Sequence, residues 1–223
     1  MMNRRHFLGT SLLAGLATQA FGATKEEDSF DFAFLTDIHV QPELGAPEGF
    51  RQCLRAVNTL ATPADFVLTG GDLIFDALDV GMDRIREQWK VFDECSKELA
   101  LPVHHTIGNH DVVGWSTKSP VKPTDQDYGK KLFAERFGLA RTYRSFDHKG
   151  WHFIILDSIG QNRETLEYEG WIDDAQLAWL KQDLAATGRK TPIVMVTHIP
   201  FYTTWHQVLK GPDHRLDGKA IVR

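Results

Sequence analysis

Polar side chains that can bind metal ions follow directly after four short apolar runs of this sequence. The four patterns are Asp37-Ile38-His39, Gly70-Gly71-Asp72, Gly108-Asn109-His110-Asp111 and Thr197-His198. Carboxylate, amide oxygen and imidazole are ligands suited to Mn, Fe or Zn. The glycines allow the backbone to turn sharply, so that the next side chain can point at a central ion. The spacing therefore predicts a metal site, although each acid alone would also suit a helix cap.

The apolar runs are the predicted strands of an α/β fold. Strands are predicted at 32–36, 66–69, 102–107 and 191–197, and helices at 48–61, 82–100, 128–137 and 173–187. Strands at 142–148 and 151–157 flank Lys149-Gly150, which is a hairpin signal. Ligands of open α/β sheets bind beyond the carboxyl ends of the strands, so the polar patterns are expected at one edge. The long polar loop at 113–127, with Trp115 and Lys118, is a candidate wall of that site.

The composition is that of an ordinary soluble globular protein. The chain has 223 residues, of which 42% are hydrophobic and 25% are charged, and this excludes collagenous, low-complexity and disordered chains. The formal net charge of −5 argues against long nucleic acid as the partner, because phosphate binding needs clustered Lys and Arg. The two cysteines, Cys53 and Cys95, are too few for a disulfide framework, and two buried free thiols are expected.

The first 23 residues are predicted to be an export signal rather than part of the fold. A basic stretch ends at Arg5, and the following residues to Ala23 are uncharged but too few and too polar for a membrane span. The adjacent Arg4-Arg5 resembles the twin-arginine signal of bacteria, although a chance Arg pair on an N-terminal helix is the alternative. This resemblance implies a periplasmic or extracellular protein. No internal repeat or linker divides the remaining residues, so one domain is predicted at 24–223.

The order D-x-H, G-D, G-N-H-D and a strand ending in His resembles the calcineurin-like metallophosphoesterase superfamily. The resemblance implies a four-layer α/β/β/α sandwich that hydrolyses a small phosphoester, either a monoester or a diester, with two metal ions (Mn, Fe or Zn) and a bridging hydroxide. It implies that Asp37 and His39 hold the first metal and that Asn109 and His198 hold the second. Asp72 would bridge the two metals, and His110 would lie near the leaving group. Asp72 and His110 are therefore the candidate catalytic residues, and Asp111 is a candidate for orienting the loop or His110.

The fifth motif of that superfamily, G-H-x-H, is missing, because none of the ten histidines follows a glycine. Without it both metals would lack a ligand. The chain is therefore expected to be C-terminally incomplete and inactive as written. The alternatives are a non-catalytic binding module with a degraded metal site, or a structural domain whose acids merely cap helices. Phe75 stands where purple acid phosphatases have a metal-binding Tyr, so a tyrosinate-iron centre is not expected, and Asp76 is considered as a partner of His110.

Overall fold

The computed structural model describes residues 29–201. The export signal predicted for residues 1–23 and both ends of the predicted 24–223 domain lie outside the described residues. Within residues 29–201, no helix is long and apolar enough to cross a membrane.

The first sheet contains three parallel strands in the order β1-β2-β3. These are β1 (Phe32–Leu35), β2 (Phe66–Thr69) and β3 (Val103–His104). Helix α1 (Ala46–Asn58) connects the first two strands, and α2 (Met82–Ser96) connects the next two. The predicted strand at 102–107 is shorter than expected. Beyond His104 the side-chain hydroxyl of Thr69, rather than a backbone carbonyl, accepts the amide of Thr106 at 3.1 Å.

The second sheet combines an antiparallel hairpin with a parallel strand. The hairpin of β4 (Arg144–His148) and β5 (Trp151–Ile155) turns at Lys149 and Gly150, which have φ angles of 44° and 79°. Both are left-handed, as a tight two-residue hairpin turn requires. Helix α4 (Asp174–Ala186) then returns the chain to β8 (Ile193–Val196), which pairs in parallel with β5.

The side chains of β5 show how the layers stack, because they alternate between two faces. Phe153 and Ile155 pack with Phe66 and Leu68 of β2 in a core between the two sheets. Ile154 packs instead with residues of α4 on the outer face of the second sheet. Helices α1 and α2 form a third apolar cluster that includes Leu35 of β1, on the outer face of the first sheet. The predicted four-layer α/β/β/α sandwich is therefore confirmed.

Two further elements connect these layers. Helix α3 (Lys131–Arg136) is shorter than the predicted helix at 128–137. A second hairpin, of β6 (Ile159–Gln161) and β7 (Tyr168–Gly170), was not predicted, because strands of three residues leave too short a pattern.

The expectation of two buried thiols is wrong for one of them. Both cysteines are free, but only Cys95 is buried and Cys53 is exposed. The buried face of α1 runs through Phe50, Leu54 and Val57, and Cys53 lies beside it.

Candidate metal centre

Three of the predicted site residues, in the loops that follow β1 and β2, lie in the left-handed region. The φ angles are 53° for Asp37, 46° for His39 and 55° for Asp72. Such conformations cost on the order of 1–3 kcal/mol each and persist only where the surrounding structure enforces them. Here the two loops brace each other, because the amide of Asp37 donates to the carbonyl of Gly71 at 3.1 Å and that of His39 to the carbonyl of Asp72 at 3.0 Å.

Glycines allow these loops to approach each other closely. Gly71 has a φ of 97°, and a Cβ there would lie 2.7 Å from the Nδ1 atom of His198. A Cβ on Gly108 would overlap both the backbone nitrogen and Oδ1 of Asp72. From the sequence, these glycines were expected to allow sharp turns of the backbone. The structure shows in addition that Gly108 leaves room for the carboxylate of Asp72.

Asp111 fastens the loop after β3 to the loop after β2. It is fully buried, and its Oδ1 accepts the amides of Leu73 at 2.8 Å and Ile74 at 3.2 Å. Its Oδ2 accepts the amide of Gly108 at 2.9 Å. Of the two roles suggested for Asp111, orienting the loop is therefore the one these contacts support. Burial raises the pKa of Asp111 to about 7, the nearby Asp72 adds to this, and the three backbone bonds oppose it.

The side chains that the sequence singled out converge at one place. Two groups of donor atoms, each within 4.8 Å of one another, share the carboxylate of Asp72. The first group is His39, Asp72 and His110, and the second is Asp37, Asp72 and His198. The Nε2 atom of His39 lies 3.4 Å from Oδ2 of Asp72, and that of His198 lies 3.3 Å from the same oxygen.

Asn109 completes the set, because its Oδ1 lies 3.0 Å from Nε2 of His198. All six residues predicted to form the site therefore lie together at the carboxyl ends of the strands.

Comparison with protein-family models matches residues 30–221 to the calcineurin-like phosphoesterase model. The chain belongs to the calcineurin-like phosphoesterase family. Among solved structures, one described as "Structure of PhoD" matches with 16% sequence identity and a TM-score of 0.48. The match covers 78% of this chain and 42% of that chain, so the chain spans less than half the length of that structure. A comparison with curated proteins found no match.

The hydrogen bonds of His198 test whether this calcineurin-like centre suits a cation. Its Nδ1 atom donates to the carbonyl oxygen of Gly70 at 2.8 Å, since a carbonyl can only accept. Its Nε2 atom then faces only acceptors, Oδ1 of Asn109 and Oδ2 of Asp72. Such a ring either carries two protons or presents the Nε2 lone pair to a cation held by the same oxygens. The backbone bond at Nδ1 is the usual way to orient a metal-binding histidine.

The electrostatics of Asp72 and His198 reflect this pairing. Burial raises the pKa of Asp72, but the hydrogen bond and the charge of His198 outweigh burial and lower it overall. Burial likewise lowers the pKa of His198, and its interactions with Asp72 outweigh burial and raise it. In addition, the Nδ1 atoms of His39 and His110 are buried without a hydrogen-bond partner among the described residues. The donor types, their convergence and these unpaired nitrogens all fit a metal centre.

Two neighbouring residues have roles other than metal binding. Asp76 does not act as a partner of His110: its Oδ1 caps a turn by accepting the amides of Leu78 at 2.7 Å and Asp79 at 3.0 Å. Phe75 has an apolar ring that cannot bind a metal, and it stands edge-on to His39 with ring centroids 6.1 Å apart.

Sequence reasoning missed Tyr168, which lies on the unpredicted hairpin. After burial, the charge of Asp72 is the next largest influence that raises the pKa of its phenol. The signal was absent from the sequence because β7 has three residues and no apolar periodicity.

Proposed function

We propose that this chain is a metal-dependent phosphoester hydrolase with a dinuclear metal centre. Family membership points to metal-dependent phosphoester hydrolysis, and the finer assignment rests on one observation, that Asp72 belongs to both groups of donor atoms. A carboxylate oxygen is anionic and has more than one lone pair, so Oδ2 of Asp72, which faces both His39 and His198, is suited to bridge two cations. Following the resemblance, Asp37 and His39, whose Oδ1 and Nε2 atoms lie 3.9 Å apart, would hold the first ion, and Asn109 and His198 the second, although Asp37 also belongs to the group of donor atoms that contains His198. The metals would be Mn, Fe or Zn.

Two bound cations would supply a bridging hydroxide as the nucleophile and would neutralise charge on the phosphoryl oxygens. The protein residues prepare the site for this chemistry. The amide of His110 donates to Oδ1 of Asp72 at 2.8 Å, which fixes the plane of the carboxylate. Oδ2 then faces both His39 and His198.

His110 is the residue proposed to assist the leaving group. Its ring packs edge-on against that of His39, with centroids 4.8 Å apart, so it stands beside the proposed first metal position. A protonated imidazole there can donate its proton to the leaving oxygen as the phosphorus–oxygen bond breaks. The substrate class supported by the acidic charge of the chain is a small phosphomonoester or phosphodiester rather than long nucleic acid. Export to the periplasm or beyond is proposed from Arg4-Arg5 alone.

A second candidate is a non-catalytic binding module with the same fold. The observation that favours it is the lack of a G-H-x-H motif in the 223 residues. This candidate expects bound metal without turnover, whereas a purely structural domain would bind no metal.

Metal analysis combined with a chromogenic assay separates these candidates. The full-length product of the gene is purified and loaded with Mn, Fe or Zn, its metal content is measured by mass spectrometry, and hydrolysis of bis(p-nitrophenyl) phosphate is followed. We expect about two metal ions per chain and measurable turnover. Asp72→Asn should lose both, because an amide offers one neutral oxygen in place of the bridging carboxylate.

Asp76→Asn is the matched control, because Asp76 follows Asp72 by four positions but only caps a turn. It should retain metal and turnover. Metal without turnover would overturn the hydrolase in favour of the binding module, and a chain without metal would overturn both. An Asp72→Asn variant that keeps wild-type turnover would exclude the bridging role.

A further inference from the structure

The loop at 113–127 and the hairpin of β6 and β7 form a wall beside the loop that carries His110. Backbone hydrogen bonds connect this wall to the His110 loop. The amide of Ala77 donates to the carbonyl of His110 at 2.9 Å, and the amide of Gly114 donates to the carbonyl of Ala77 at 3.0 Å. The next residue, Trp115, accepts the amide of Tyr168 at its carbonyl at 3.1 Å. These three bonds form a series from His110 to the segment at Ala77, from there to the segment at Gly114 and Trp115, and from there to β7.

Side chains fasten this wall in place. The hydroxyl of Thr117 donates to Oε1 of Glu167 at 3.0 Å and joins the 113–127 loop to the hairpin. The Nζ atom of Lys118 lies 3.4 Å from Oδ2 of Asp79, which joins the same loop to the segment after β2. The loop predicted to be a wall of the site is therefore held by the hairpin on one side and by the segment after β2 on the other.

Two exposed aromatic rings flank the proposed metal centre. Phe75 is 45% exposed and stands edge-on to His39, and its amide donates to the carbonyl of Val40 at 3.1 Å, which fixes its backbone. Tyr168 is 41% exposed, and its amide donates to the carbonyl of Trp115 at 3.1 Å. Burial raises the pKa of its phenol, and the charges of Asp72, Glu167 and Asp79 add to this. Neither ring belongs to the three apolar clusters of the described residues. Phe75 is thus held against the site and Tyr168 on the adjoining hairpin, and neither ring is needed for the core.

We propose that Phe75 and Tyr168 form a substrate-binding rim that selects phosphoesters whose leaving group carries an aromatic ring. This inference rests on the proposed function. With the phosphoryl group at the Asp72 centre, the leaving group extends from the side of His110 toward these rings. Aromatic rings attract each other in offset or edge-to-face arrangements, with centroids about 4.5–7 Å apart. Phe75 and Tyr168 would therefore bind an aromatic leaving group more tightly than an alkyl group of the same charge.

The test uses two phosphonates that cannot be hydrolysed, so it reads binding rather than turnover. Phenylphosphonate and methylphosphonate are titrated by calorimetry into the metal-loaded chain. The wild type should bind phenylphosphonate about tenfold more tightly than methylphosphonate, as expected for two ring contacts. Phe75→Ala and Tyr168→Ala should each reduce this preference to about threefold, and the double variant should abolish it. Methylphosphonate affinity should stay within about twofold of wild type in every variant.

Two control variants separate the ring from other effects. Tyr168→Phe keeps the ring and should keep the preference, which excludes the hydroxyl as its source. Leu166→Ala truncates an apolar side chain on the same hairpin that is 47% exposed, and it should change nothing. Equal binding of both probes by the wild type, or a double variant that retains the preference, would overturn the rim while leaving the proposed function standing. Failure of the metal-loaded wild type to bind either probe would overturn both.

Discussion

Replacing Asp111 with Asn tests whether the metal centre depends on a carboxylate that need not touch the metals. The Asn carbonyl can take the place of Oδ1 and keep the amides of Leu73 and Ile74. Its NH₂ group then faces the amide of Gly108, which Oδ2 accepts at 2.9 Å in the wild type. Two donors cannot bond to each other, so the amide of Gly108 is left buried and unpaired.

The magnitude follows from that single lost bond. A buried donor without a partner costs about 1–3 kcal/mol, so the free energy of unfolding should fall by that amount. In a chain of this length the change corresponds to a decrease in Tm of roughly 2–4 °C per kcal/mol. The loop carrying Asn109 and His110 also loses the bond that joins residue 111 to the amide of Gly108 at its start. Outer contacts of this kind usually change metal affinity by about 10–100-fold, and we expect a loss in that range.

Urea unfolding without metal and calorimetric metal titration measure the two effects separately. Asp125→Asn is the matched control, because among residues 29–201 the side chain of Asp125 accepts a single amide, that of Asp127 at 2.9 Å. It should change stability by less than about 0.5 kcal/mol. An Asp111→Asn variant as stable as wild type would refute the role of the bond between Gly108 and Asp111. A variant that loses stability but keeps wild-type metal affinity would refute the positioning of the site through this loop.

Three further changes test other contacts. Gly108→Ala should abolish metal binding in a calorimetric titration, because its Cβ displaces Asp72; Gly49→Ala on α1 has no atom within 4 Å of the new Cβ and should retain it. Asp173→Ala removes the cap that accepts the amide of Gln176 at 2.7 Å, and urea unfolding should show a loss of about 1 kcal/mol; no loss would contradict the capping role. Burial lowers the pKa of His152, but its bonds to Asp183 and Asp147 outweigh burial and raise it overall. The ion pairs of His152 therefore stabilise the fold fully below the ordinary pKa of histidine, and this stabilisation is lost as the pH rises through the raised pKa of the folded state. The stability advantage of wild type over His152→Gln should therefore shrink between about pH 5 and about pH 9, and a constant difference would refute this linkage.

Much of the fold could be predicted because its signals are local. The strand at 66–69 matches β2, the hairpin at Lys149-Gly150 is present, and Asp173 caps α4 as the sequence indicated. The errors occurred where local signals are weak. The hairpin of β6 and β7 has strands of only three residues, and the exposure of Cys53 depends on a small rotation around α1.

The residues that could form the site are recognisable along the chain, because each of them follows a predicted strand and parallel strands end at the same edge. How they meet depends on contacts between distant parts of the chain. The contact between His198 and Gly70 joins residues 128 positions apart, and the bond from Leu73 to Asp111 spans 38 positions. Such contacts depend on sheet register and on the packing of whole layers, which no short stretch of sequence encodes. For the same reason the sequence could predict Asp72 as a ligand, whereas the fold brought its carboxylate into two groups of donor atoms at once.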